Sequence, residues 1–314
     1  MNKILLFKKN IEKKIESFKK SKFYYNFEKK VSPYLFVTPY LFFFLLFSLT
    51  PVILSIVLAF LKWDFDSPAE WVGLENFKLI FNKESLTHEY FFDSLKHTFL
   101  FVGIQAPILI IVPLLIALLL NSKLKGTKLQ RALIYFPAIL SVTTVSAIFF
   151  VILDTNIGIV NIILGKEISW LTDQPYQWIS IFLMSTWWGI GGNMIYYTAG
   201  LQNISKELYE AAEVDGCNGF QRFLYITIPG LKDTFVYVVI MTILSTFNVM
   251  GQPMMLTPGE ESTRVAIQYI YEVAFGGTKF GRAAAMSLIM TCIMAVFSII
   301  SFRLIIKKGD NSND

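Results

Sequence analysis

Six long apolar runs constrain this chain more than any other feature. They lie at about 33–61, 98–120, 132–153, 176–200, 233–252 and 284–306. None holds Asp, Glu, Lys, Arg or His in its interior; Asp233 and Arg303 stand at run ends. A helix of roughly 20 residues crosses a hydrocarbon core about 30 Å thick, and each run meets that length. The runs therefore predict an all-α integral membrane protein of six transmembrane helices. Composition agrees, with 54% hydrophobic and 16% charged residues, against about 25% charged in soluble domains. Pro39, Pro51, Pro107 and Pro113 fall within the runs, where membrane helices tolerate proline and kink.

Lysine and arginine set the orientation. Residues 1–32, 121–131, 201–232 and the C-terminal tail taken with Arg303 hold 10, 4, 3 and 3 of them; the segments 62–97, 154–175 and 253–283 hold 4, 1 and 3. The positive-inside rule places the first group, and both termini, in the cytoplasm. Within 1–32, Ile4, Phe7, Ile11, Ile15 and Phe18 recur among ten lysines, which predicts a basic amphipathic helix on the membrane surface. The domain reading is thus a cytoplasmic segment 1–32, a six-helix domain 33–306 with a cytoplasmic loop 201–232, and a tail 307–314. Cys217 and Cys292 fall in a loop and a span, which makes a disulfide between them unexpected. His88 and His97 lack the spacing of metal ligands on one helix face.

A charge buried at membrane depth costs about 2.5–3.5 kcal/mol and is kept where function needs it. The charge-free interiors count against a proton relay and against an ionic substrate held by a countercharge. Neutral polar residues occur instead. Ser185 and Asn193 flank Trp187 and Trp188, and Thr242, Ser245, Thr246 and Asn248 cluster in the fifth run. Positions 185, 188, 189 and 192 share a helical face, as do 242, 245, 246 and 249. Hydroxyls and amides beside an indole suit a neutral polyhydroxyl ligand; the same residue types also pack helices together in membranes. No phosphate-binding G-x-x-x-x-G-K-[ST] loop is present, so uptake against a gradient would draw on another polypeptide's ATPase.

The loop 201–232 contains "ELYEAAEVDGCNGFQRFLYITIPGL", Glu207 to Leu231. Ser205 is a helix N-cap candidate, Gly216 a C-terminal stop, and Asn218 the cap of a second helix with Phe220, Phe223, Leu224 and Ile226 on one side. Pro229 is expected to close that helix before the fifth span. Two short helices joined at glycine, too apolar for an idle loop, predict a docking surface for another protein rather than a metal or catalytic site.

Glu210-Ala211-Ala212, then Gly216, then Ile226-Thr227-Ile228-Pro229 resembles the EAA loop of permease subunits of binding-protein-dependent ABC importers, with Ile228 where leucine is usual. "WVGLENF" (71–77), "ALIYFPAILS" (132–141), "NIGIVN" (156–161), "STWWGIGGNM" (185–194) and "FGRAAAMS" (280–287) extend the resemblance, which is closest to the maltose-type and multiple-sugar permeases. It implies the ABC type I importer transmembrane fold in a bacterial cell membrane. It implies a second homologous permease, generally a different chain, a cytoplasmic ATPase dimer and an extracellular sugar-binding protein. ATP and Mg would be bound by that ATPase, with no cofactor, metal or catalytic residue in this chain; membrane lipid is a partner and nucleic acid is not. ATPase coupling falls to Glu210, Ala211, Ala212, Gly216, Phe220, Arg222, Ile226 and Pro229. By analogy with a maltose-type permease, the substrate path falls at Ala138, Val142, Ser185, Trp188, Gly189, Gly192, Thr242, Ser245, Thr246 and Val249. Thr246 and Val249 stand where asparagines occur in the maltose pattern, which points away from maltose itself. The implied function is import of a sugar or oligosaccharide, with glycerol phosphate or a polyol as the near alternative. A secondary carrier or a membrane-embedded enzyme would be the readings from other classes.

Overall fold

The computed structural model describes residues 27, 29, 30, 32–64, 67–121 and 126–310, with side chains as far as Arg303 at the C-terminal end. The predicted basic helix in 1–32 and the tail's side chains lie outside the described residues, as do four residues of the loop at 121–131. The chain divides into two units, Met1–Leu58 and Ala59–Asp314.

In the first unit, α1 (Ser32–Phe44) runs through a π turn at Leu45–Leu49 into α2 (Thr50–Leu58). Pro51 has no N–H to give, and the bulge absorbs the gap: the Thr50 hydroxyl and backbone N–H both donate to the Leu45 carbonyl. The result is a 26-residue apolar helix, Pro33–Leu58, long enough to cross a membrane.

The second unit opens on a short antiparallel pair, β1 (Leu61–Lys62) and β2 (Glu70–Trp71), in register Leu61↔Trp71. Buried Asn76, on α3 (Glu75–Phe81), donates to the carbonyls of Ala59 and Leu61, both at 2.9 Å. That clamp explains an asparagine in the "WVGLENF" stretch. The helix α4 (Leu86–Asn121) begins well before the expected start at 98, because Phe91, Leu95 and Thr98 extend one buried face N-terminally.

The third run departs most from expectation. In place of one span over 132–153, α5 (Thr127–Ile139) and α6 (Val142–Ile152) meet at 100°. Pro137 sits in the last turn of α5, Leu140 is extended, and Ser141 caps α6 by accepting from the Thr144 N–H at 3.2 Å. A polar cap two residues after a helix end restarts the helix in a new direction. A loop follows, with α7 (Ile159–Leu164) inside it. Buried Asn161 fastens this loop, donating to the carbonyls of Thr155 and Ile168 and accepting from the Trp170 indole. Backbone N–H groups of Ile157 and Asn156 hold the Asp154 carboxyl below the usual carboxylate range.

The fourth run is α8 (Tyr176–Asn203), then come α9 (Lys206–Val214), α10 (Gly219–Arg222), a π turn at Phe223–Thr227 and α11 (Ile228–Gly230). Pro229 does not close the segment; the helix continues to Gly230 and bends by 64° into α12 (Lys232–Phe247). The π turn supplies the register that a proline without an N–H requires. The fifth run also breaks: α12 ends at Phe247, where the expected span ran to 252, and α13 (Gly251–Leu256) starts after a gap. The Asn248 amide donates back to the Leu244 carbonyl at 2.8 Å and so closes the end of α12. Pro253 withholds a donor from the Val249 carbonyl. The unit ends with α14 (Ala266–Tyr271), a π turn at Glu272–Gly276, and α15 (Phe280–Asp310).

Among the described residues, three helices are long and apolar enough to cross a membrane, and five when each bent pair counts as one crossing. At 28 residues α8 has the length of a sixth, but its Trp, Tyr, Gly and Asn content keeps it outside the purely compositional set. Within the second unit, α8 packs along α4 and α5, α12 against α4 and α15, and α13 against α6. Two buried clusters result. One gathers Phe101, Ile181, Met184 and Val249, and the other Ala117, Met194, Tyr197 and Val238.

Candidate functional site

Against the first of those clusters lies a cavity of about 480 Å³. Its walls come from α4 (Phe101, Gln105, Leu109), the α5–α6 break (Ala138, Val142), α8 (Ser185, Trp188, Gly189, Gly192), and α12 with the gap after it (Ser245, Thr246, Asn248, Val249, Met250), closed by Gly251 and Gln252. Both helix breaks open onto it. Irregular backbone survives at membrane depth where it lines a cavity or finds partners in protein, and here it does both.

The freed backbone groups have identifiable partners. The Trp188 indole N–H donates to the Leu140 carbonyl at 3.1 Å, at the end of α5. Pro113 cannot donate to the Leu109 carbonyl four residues back; the Asn193 amide does so instead at 2.7 Å and also donates to the Thr242 hydroxyl at 2.9 Å. The three glycines of "GIGGN" differ in kind. A Cβ on Gly191 would fall 2.7 Å from both the Ile134 carbonyl oxygen and the Tyr135 Cα, so this glycine sets the α5–α8 approach. A Cβ on Gly189 would press on the Leu109 side chain at 2.9 Å, whereas one on Gly192 would meet nothing within 4 Å.

Nine of the ten predicted path residues line this one cavity, brought together from three runs. The exception is Thr242, buried and bonded to Asn193 behind the wall. Val249 reaches the cavity from the gap rather than from the helix face that the spacing suggested. The sequence reading missed α4 altogether. Its signal was Gln105, the one side-chain amide in the 98–120 run. No lining residue is charged. Among the described residues no three His, Cys, Asp or Glu side chains gather as a metal would need, and Cys217 and Cys292 are free.

The predicted coupling residues form a second assembly, on α9 to α11 beyond the far end of α8. Ser205 caps α9, accepting from the Glu207 N–H at 3.2 Å. Gly216 ends it at φ +76°, a left-handed conformation that suits glycine. Asn218 and Gln221 form a reciprocal capping box at 2.9 and 2.8 Å. The Glu213–Arg222 ion pair at 3.2 Å and the Tyr209–Thr227 hydroxyl pair at 2.9 Å tie the two helices across the turn. Of the named residues, Ala212 is buried, Arg222 and Ile226 are half-buried, and Glu210, Ala211, Gly216, Phe220 and Pro229 are exposed. Leu208, Val214, Phe220 and Tyr225 stand more than half exposed beside them.

Bent apolar helices thus surround a cavity with no charged side chain among its described lining residues, and an exposed helix pair stands at one end. The chain belongs to the family described as binding-protein-dependent transport system inner membrane component, which matches residues 91–305. It is 31% identical over 287 residues to the arabinooligosaccharides transport system permease protein AraP of Bacillus subtilis (strain 168), covering 88% of this chain and 90% of that protein. It is 32% identical over 284 residues to the lactose transport system permease protein LacF of Rhizobium radiobacter, covering 87% and 93%. The crystal structure of a bacterial ABC transporter involved in the import of the acidic polysaccharide alginate shares the fold, with a TM-score of 0.76, 23% identity and coverage of 91% and 99%. The chain is thus a multi-pass permease subunit of the bacterial cell membrane, and the relatives it matches are transport components.

Proposed function

We propose that this subunit forms half of the translocation path for a neutral sugar or oligosaccharide. One observation carries the reading: the cavity at the helix breaks sets hydroxyls, amides and Trp188 among apolar side chains and glycines, with no charged side chain among the lining residues described. Its volume of about 480 Å³ lies within the roughly 300–1,000 Å³ of small-molecule sites. The names of AraP and LacF point to the same substrate class. A phosphate-bearing substrate would call for a cation that these walls lack. A second, homologous permease supplies the other half, and a sugar-binding protein delivers the ligand. The α9–α11 pair seats a separate ATPase that binds ATP and Mg, through Glu210, Gly216, Phe220 and Arg222. The lysine and arginine distribution supports placing that end, and both termini, in the cytoplasm.

The test is reconstitution in proteoliposomes with the partner permease, the ATPase and the binding protein. Uptake of arabinotriose or lactose that needs both ATP and the binding protein is expected. Uptake by this chain alone without ATP would make it a secondary carrier.

A further inference from the structure

Gln105 sits at the middle of α4, fully buried, with Phe101 one turn before it and Leu109 one turn after, all three on the cavity. Its amide nitrogen donates to the Thr186 hydroxyl at 3.1 Å, while its carbonyl oxygen has no partner. Ser185, next to Thr186 on α8 and also on the cavity, is buried with its hydroxyl unpartnered. Four of the other polar walls use their donors within the protein. Ser245 and Thr246 donate to backbone carbonyls, Asn248 to Leu244, and Trp188 to Leu140. Of the lining side chains, Gln105 on α4 and Ser185 on α8 are the two with a buried polar atom that has no partner.

An amide oriented by one bond and left with an idle acceptor, on the same cavity as an idle hydroxyl, offers complementary partners to the hydroxyls of a sugar. One hydroxyl donates to the Gln105 carbonyl oxygen, and another exchanges a hydrogen bond with Ser185. We propose that Gln105 is a specificity-determining residue of the substrate site, reading a hydroxyl pair of the transported sugar together with Ser185. This makes α4 a wall of the site in its own right. The proposal rests on the cavity's being the sugar path.

A structural role makes the opposite prediction about stability. If Gln105 only joined α4 to α8, its loss would loosen the fold. If its carbonyl waits for ligand, an apolar replacement removes an unmet polar group, which offsets the lost bond to Thr186 and leaves the fold about as stable. The full transporter, reconstituted with binding protein and ATPase, is assayed for uptake of arabinotriose, lactose and maltotriose, and its thermal midpoint is measured in parallel. Gln105→Leu is expected to lower uptake of the transported sugar about tenfold, the equivalent of one hydrogen bond's worth of discrimination, with the midpoint held. Ser185→Ala should act in the same direction. Uptake within about twofold of wild type, or a fall in uptake that tracks a lowered midpoint, would overturn the role of Gln105. A wild-type transporter that moves none of the three sugars would instead sink the sugar reading, and this proposal with it.

Discussion

The indole N–H of Trp188 donates to the backbone carbonyl of Leu140 across 3.1 Å. The side chain that lines the cavity thus also finishes the helix whose break opens it. Trp188→Phe keeps an aromatic ring and strands that carbonyl. Leu140 is half-buried, so the lost bond should cost about 1 kcal/mol, the lower end of the roughly 1–3 kcal/mol for an unmet buried carbonyl, and the thermal midpoint should fall. Trp188→Ala should lower sugar uptake while ATPase activity stimulated by the binding protein survives in part. Unchanged midpoints for Trp188→Phe would show that the bond does not hold the break.

The Asn193 amide joins α4 to α12 through Leu109 and Thr242. Asn193→Leu should destabilise the protein by about 1–3 kcal/mol, because it leaves the Leu109 carbonyl unmet beside Pro113. Thr242→Val should leave uptake near wild type, since Thr242 stands behind the cavity wall. Ser245→Ala removes a group on the wall itself and should alter the apparent KM. A strong uptake defect in Thr242→Val alone would reverse that placement.

At the exposed helix pair, the Glu213–Arg222 bridge has a carboxylate that is 75% exposed. Such a pair contributes about 0–1 kcal/mol, so Arg222→Ala should barely move the thermal midpoint. Gly216 is different. Its φ of +76° admits asparagine with little strain, but a bulky L-residue poorly. Gly216→Trp should lose the ATPase on co-purification while the spans still insert, and Gly216→Asn should retain it. Retention of the ATPase by both variants would mean that the helix pair is not its seat.

The sequence was most legible where chemistry is local. The caps at Ser205 and Asn218 and the stop at Gly216 depend on one residue and its near neighbours, and each stands where expected. The apolar runs marked membrane segments because length and absence of charge are properties of composition. They did not mark the breaks at Leu140 and after Phe247, since half-spans and whole spans share a composition. Pro137 with Ser141, and Asn248 with Gly251 and Pro253, carried that signal. Thr242 was misplaced because helical spacing gives a face but not its partner, and Asn193 claims that hydroxyl. Gln105 was missed because one amide in a run is conspicuous only once the cavity shows what it faces.

The glycine pair on α8 gives the most direct test of the cavity as the sugar path. A side chain at Gly192 enters open space, whereas one at Gly191 collides with the backbone of Ile134 and Tyr135. Gly191→Ala is therefore expected to impair assembly. Gly192→Leu should fill the cavity in an intact transporter. In proteoliposomes carrying Gly192→Leu, ATPase co-purification and thermal midpoint should match wild type while ATP-driven sugar uptake falls at least about tenfold. Uptake within about twofold of wild type would contradict the central claim that the sugar passes through this cavity.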